Sequence, residues 1–136
     1  MKTTLALFII LFSFALAHSA EYQQFNAKVI RIVDGDTFKF KAHILDIDIN
    51  GTCRMKDYNA PELHGAEKEE GLKAKAELAR LIQGKTVRIK THKKDKYGRW
   101  LCEAWSEDKS ISEGMRAYLK DYKLLDKYTK RPRRSP

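Results

Sequence analysis

The sequence predicts an α+β fold, mainly β, and the hydrophobic periods of three successive stretches predict it. Apolar residues alternate with polar ones through much of 25–49, the period lengthens to a helical one over 67–83, and alternation returns from 85 to 105. Period two builds half-buried strands, and a period near 3.6 builds a helix with one buried face. A chain of 136 residues is long enough for one such core and too short for two. No period of 20 to 50 residues recurs, which excludes a repeat array.

The first residues stand outside this pattern. Lys2 precedes an apolar run over 5–16, broken only by Ser13, and small residues follow at Ala15, Ala17, Ser19 and Ala20. This is the pattern of a secretory signal peptide over 1–19, cleaved after about residue 17 to 20. The expected location is therefore extracellular or periplasmic. Cleavage removes Lys2 and leaves 26 basic against 18 acidic residues. Such an excess predicts an anionic partner, a nucleic acid or an anionic membrane surface.

The elements then follow in order. Residues 27–33 are rich in Val and Ile, Phe38 and Phe40 alternate with Lys39 and Lys41, and Leu45, Ile47 and Ile49 alternate with Asp46 and Asp48. Asn50-Gly51 is the strongest short hairpin signal in the chain and leads into a strand over 52–55. Cys53 and Met55 share one face of that strand, and Thr52 and Arg54 share the other. With the first pair inward, Arg54 points outward. Pro61 ends strand behaviour because it lacks the donor that a ladder needs. A helix over 67–83 carries Ala74, Leu78, Leu81 and Ile82 on one face and stops at Gly84. Val87 and Ile89 point inward from a strand over 85–90. A very basic turn over 91–99 precedes a strand over 100–105. After a turn at 107–109 comes a second helix over 112–119, read here as lacking a large apolar face. Residues 121–136 form a Lys- and Tyr-rich basic tail, leaving 25–120 as the folded domain.

Several residue sets could carry chemistry. Asp34-Gly35-Asp36-Thr37 reads as a plain turn or as two carboxylates offering hard oxygens to a divalent cation. A calcium-binding helix-loop-helix is excluded, because its downstream ligand positions are absent. Arg54 and Glu62 read as a surface ion pair or as a guanidinium fork for a phosphate beside a base for an attacking water. The turn over 91–99 mixes cations with Tyr97, which suits a phosphate backbone and a stacked base; a solvated loop is the simpler alternative. His92 has no partner at ligand spacing and reads as a surface residue. In an oxidising compartment, Cys53 and Cys102 are either one disulfide or two buried thiols.

Asp34-Gly35-Asp36-Thr37, then Arg54 followed by Asn59-Ala60-Pro61-Glu62, then Asp95-Lys96-Tyr97-Gly98-Arg99, resemble the staphylococcal nuclease (thermonuclease-like) family in type, order and spacing. The resemblance covers about residues 27–119. It implies a five-stranded OB-type β-barrel with two to three helices packed on it, a fold whose groove receives single-stranded nucleic acid. It further implies a calcium-dependent phosphodiesterase, a metal-dependent endonuclease acting on DNA and RNA. By position, Asp36 would be the main Ca2+ ligand, with Asp34 behind it, and Asn59 and the Ala60 carbonyl would complete the metal set. Glu62 would be the general base, and Arg54 and Arg99 would grip the scissile phosphate. Lys96 and Tyr97 would touch a neighbouring phosphate or sugar.

Asn59 departs from the family, many of whose members place an aspartate there. Losing that charge predicts weaker calcium binding or tolerance of another divalent ion. In an OB-type order the strands holding Cys53 and Cys102 are neighbours, and both cysteines would face the interior. The resemblance therefore favours the disulfide. The expected partners are DNA or RNA, preferably single-stranded, bound by a monomer without stable membrane association. The alternative function is a noncatalytic OB-fold nucleic-acid-binding module.

Overall fold

The computed structural model describes residues 22–121. The segment expected as a signal peptide (1–19) and, apart from Asp121, the expected basic tail (121–136) lie outside those residues. Strands β1 (Gln23–Asp34), β2 (Thr37–Ile44) and β3 (Ile47–Met55) form an antiparallel meander. A 3-10 turn (Gly65–Glu67) and helix α1 (Lys68–Ile82) lead to β4 (Thr86–Lys94) and β5 (Trp100–Ser106). β4 pairs with β1 and with β5, and β5 returns to pair in parallel with β3. The order β3-β2-β1-β4-β5 thus closes on itself, an OB-type barrel within an α+β fold. Closure covers the edge of β3 at 53–55, while 47–52 of β3 pair only with β2. The two-residue strand β6 (Lys109–Ser110) turns back on β5, and α2 (Ile111–Asp121) follows at once.

Alternation fills the barrel. Ala27, Val29, Ile32, Phe38, Phe40, Ala42, Cys53, Met55, Val87, Ile89, Cys102 and Ala104 are all buried. β1 contains two register slips against β2, and the first leaves Ile30 exposed beside Arg31. A bulge frees backbone groups that need partners. Gln83, just past α1, supplies them: its Nε2 donates to the Ile30 carbonyl at 2.8 Å, and its Oε1 accepts from the Ile32 N–H at 3.2 Å. One side chain therefore ties the end of the helix to the bulge.

Four local expectations need correction. Asn50-Gly51 is not a turn: both residues lie within β3, opposite Lys41 and Phe40. The turn is Leu45-Asp46, with φ of 48° and 63°. That choice gives β2 and β3 eight paired positions, whereas a turn at 50–51 would leave only a four-residue return strand over 52–55. Gly51 meets a packing need instead, since a Cβ there would stand 2.5 Å from Cζ of Phe40. A leucine in the left-handed region costs roughly 1–2 kcal/mol, which the longer ladder offsets. Second, β3 ends at Met55, well before Pro61. Its end is held by the Met55 N–H donating to the Asp36 carbonyl and the Lys56 N–H donating to that of Cys102, both at 2.9 Å. Third, the first four residues of the basic stretch over 91–99 are strand: β4 runs to Lys94 through a register shift, and the turn is confined to 95–99. Fourth, α2 does have an apolar face. Ile111, Met115 and Leu119 are buried at successive four-residue steps against the core. A helix that starts at residue 112 leaves out the first of them.

Candidate functional site

The β1–β2 turn is built by its own carboxylates. Asp34 Oδ1 accepts the Asp36 N–H at 3.1 Å, closing an Asx-type turn. This leaves the Asp36 side chain directed inward and buried. Its Oδ1 accepts from the Thr37 hydroxyl at 2.8 Å, and its Oδ2 accepts from the Ala60 N–H at 2.8 Å. Arg54 Nη2 lies 3.0 Å from the same Oδ2. Burial pushes the Asp36 carboxyl up to about 7, while the Arg54 guanidinium pulls it down.

Arg54 stands on the outward face of β3 near its end, as alternation requires. Its Nη1 donates to the carbonyls of Met55 at 2.6 Å and Tyr58 at 2.7 Å, and its Nη2 donates to Asn59 Oδ1. The guanidinium thus ties together the end of β3, the following turn and the Asp36 carboxylate. Tyr58 is itself buried, and its hydroxyl has no hydrogen-bond partner among the described residues.

The loop over 59–63 is held by close approaches to glycines. A Cβ on Gly35 would come within 2.6 Å of Ala60 Cβ and 2.7 Å of Ala74 Cβ, so the turn, the loop and α1 meet there. A Cβ on Gly71 would lie 2.2 Å from the Glu62 carbonyl oxygen. Only glycine lets α1 come this near to the loop. The Glu62 N–H donates to Glu67 Oε2 at 3.2 Å, and Glu62 Oε2 lies 3.9 Å from His64 Nε2. The Glu62 side chain is 28% exposed, enough for a solvent-borne substrate to reach it.

A second cluster forms in the β4–β5 turn. Asp95 Oδ1 accepts the N–H groups of Tyr97 and Arg99, each at 3.0 Å, and Oδ2 accepts Arg99 Nε at 2.7 Å. Burial would raise the Asp95 carboxyl, but these bonds outweigh it and hold the group below its ordinary range. Lys96 Nζ and Arg99 Cζ stand 5.1 and 5.2 Å from the centroid of the exposed Tyr97 ring. Arg99 directly precedes Trp100, which pairs with Cys53, while Leu101 pairs with Arg54. The turn therefore begins beside the part of β3 that carries Arg54. The disulfide Cys53–Cys102, with Cα atoms 5.8 Å apart, links the same two strands inside the barrel.

Of the residues expected from sequence, Asp34, Asp36, Arg54, Asn59 and Ala60 form one bonded shell, with Glu62 following on the same loop. Lys96, Tyr97 and Arg99 form the second cluster. Thr37, Tyr58, Gly71 and Asp95 complete these shells but carried no assigned role. Thr37 and Asp95 lay within the recognised motifs, whereas no local signal marks Tyr58 or Gly71. The oxygens of Asp36, Asp34, Asn59 and the Ala60 carbonyl are of the type a hard divalent cation takes. The donor chemistry therefore fits calcium, with Arg54 as a competing cation on Asp36 and Asn59. Among the described residues no group of three or more His, Cys, Asp or Glu side chains forms a metal cluster, so such an ion would depend on amide and carbonyl oxygens.

Comparison with protein families finds that residues 52–118 match the model described as staphylococcal nuclease homologue. No curated protein matches the chain.

Proposed function

We propose that this chain, whose residues 52–118 match the staphylococcal nuclease homologue model, is a secreted, calcium-dependent endonuclease of DNA and RNA. The observation that carries the proposal is the bonded shell of Asp36, Arg54, Asn59 and Ala60, with Glu62 on the loop it anchors. A module that only binds has no need of a base on a clamped loop.

In this reading, Glu62 takes a proton from the water that attacks the phosphorus, a role geometry permits only if the loop is held still. Arg54 and Arg99 bind the equatorial oxygens of the phosphate, where negative charge grows as the bond to the leaving oxygen lengthens. Asp36 and Asp34, with Asn59 and the Ala60 carbonyl, would hold calcium. Bound calcium would add positive charge against the same oxygens. Lys96 and Tyr97 would hold an adjacent phosphate or sugar, and the exposed ring suits a single strand better than a closed duplex. The Cys53–Cys102 disulfide supports export, since such bonds persist in oxidising compartments.

One observation favours the binding-module reading. Arg54 is engaged through both terminal nitrogens by Asp36, Asn59 and two carbonyls, and Arg99 through Nε and Nη2 by Asp95, so a bidentate grip on phosphate by these atoms requires that substrate or metal displace some of these bonds. Release of short nucleotides from single-stranded DNA, with calcium and with chelator, separates the two. Cleavage that needs the metal supports the nuclease, and tight binding without cleavage in any divalent ion supports the module.

A further inference from the structure

The outward face of β1 and β2 sets cations directly against cations. Lys28 pairs with Lys41, and Arg31 with Lys39, as cross-strand neighbours. All four are exposed. Like charges facing each other across a ladder oppose folding, and little on this face offsets them. Lys41 reaches Asp48 at 3.0 Å, but Lys28, Arg31 and Lys39 have no ion pair, hydrogen bond or ring contact among the described residues. The cations of β4 differ: Arg88 lies over Trp105 and bonds Asp108, Lys90 lies over Tyr22, and Lys94 lies over Trp100.

The register also says where this face leads. Lys41 is opposite Asn50 and Lys39 is opposite Thr52, and the next outward residue of β3 is Arg54. Residues two apart on a strand are about 7 Å apart, and neighbouring strands lie about 5 Å apart. The four cations therefore form a compact block that continues, through Asn50 and Thr52, to the Arg54 end of the barrel. Exposed Ile30 lies among them, giving the block an apolar contact as well.

We propose that this face, built on Lys28, Arg31, Lys39 and Lys41, holds the phosphodiester backbone of a single-stranded polynucleotide whose scissile bond lies at Arg54. The proposal rests on the nuclease reading for the position of the bond, but not for the binding itself. A polyanion neutralises the opposed cations, and each phosphate contact releases counterions. The tract thus serves long strands and is idle for short ones.

The test compares the full chain with a variant carrying Lys28→Gln, Arg31→Gln, Lys39→Gln and Lys41→Gln. A charge-matched control carries Lys68→Gln, Lys75→Gln, Lys85→Gln and Lys109→Gln. Binding of a 30-nucleotide single strand, far longer than the tract, is titrated against salt in chelator, and cleavage of that strand and of a trinucleotide is measured in calcium. The tract variant is expected to bind the long strand about 10- to 100-fold more weakly and to lower the salt slope by about 3. Its trinucleotide cleavage should stay within about twofold of the parent, and its thermal midpoint should be equal or higher because the opposed charges are gone. An unchanged slope or an equal loss in the control overturns the tract. Absence of cleavage by the parent refutes the nuclease reading instead, and the binding slope still decides the tract.

Discussion

Asp36 is buried, and burial raises its carboxyl from 3.8 to about 7 against the pull of Arg54. A carboxyl raised in the native state keeps a proton that the unfolded chain gives up. The stability it contributes is full below its unfolded value and is lost as pH rises through about 7. In chelator, the urea midpoint should therefore fall between pH 5 and pH 8 by the equivalent of about 1–3 kcal/mol. Asp36→Asn should remove that decline. Calcium needs the ionised form, so its affinity should weaken below the same pH. In the proposed calcium site, Asn59 would set the charge available to the ion. Asn59→Asp should lower the calcium needed for half-maximal activity by about tenfold, read from activity against free calcium, and an unchanged requirement would exclude Asn59 from the metal set. These residues were legible because motif spacing marks them. Their bonding was not: that Arg54 closes on Asp36 and Asn59 depends on a turn and a loop that are distant in sequence.

Helix α1 places the Glu62 loop through Gly71, and α2 offers a glycine with no such duty. A Cβ at Gly71 would meet the Glu62 carbonyl oxygen at 2.2 Å, whereas at Gly114 the nearest atom, Leu81 Cδ1, is 3.8 Å away. Alanine normally stabilises a helix interior relative to glycine by about 1 kcal/mol. Gly114→Ala should therefore stabilise by about that amount. Gly71→Ala should destabilise by about 1–3 kcal/mol as loop and helix are forced apart, with turnover falling more than KM rises. Denaturant midpoints and steady-state kinetics read both, and equal signs for the two variants would contradict the clamp. Most strands and α1 were legible from period, since Phe38, Phe40, Val87, Ile89, Ala74 and Leu78 occupy the positions that alternation or helical spacing predicts, whereas the alternation at 45–49 misleads, because Leu45 and Ile47 are exposed at the β2–β3 turn. The β2–β3 turn was misread because local chemistry at Asn50-Gly51 competes with packing. Phe40 needs a residue without a Cβ opposite it, and that need fixes the register.

At the scale of the whole molecule, the barrel closes where β5 meets β3, and the disulfide stands at that junction. Cys53 and Cys102 are fully buried and 49 residues apart, so the bond encloses the Glu62 loop, α1 and β4. A cross-link of this span stabilises by about 2–4 kcal/mol, chiefly by restricting the unfolded chain. The Cys53→Ser, Cys102→Ser double variant should lose about that much in urea and remain folded at 25 °C; an unchanged midpoint would contradict the role. Closure brings the β4–β5 turn beside Arg54, joining motifs that stand 45 positions apart. No period in the sequence displays this juxtaposition, which became legible only through the resemblance of the motifs. The central claim is that Glu62 is a base on a scaffold that binds nucleic acid without it. Glu62→Gln, assayed on single-stranded DNA in calcium with affinity measured alongside, tests this most directly. Turnover should fall by about 10²- to 10⁴-fold with affinity within about twofold. Undiminished turnover, or affinity lost in step with it, would contradict the account.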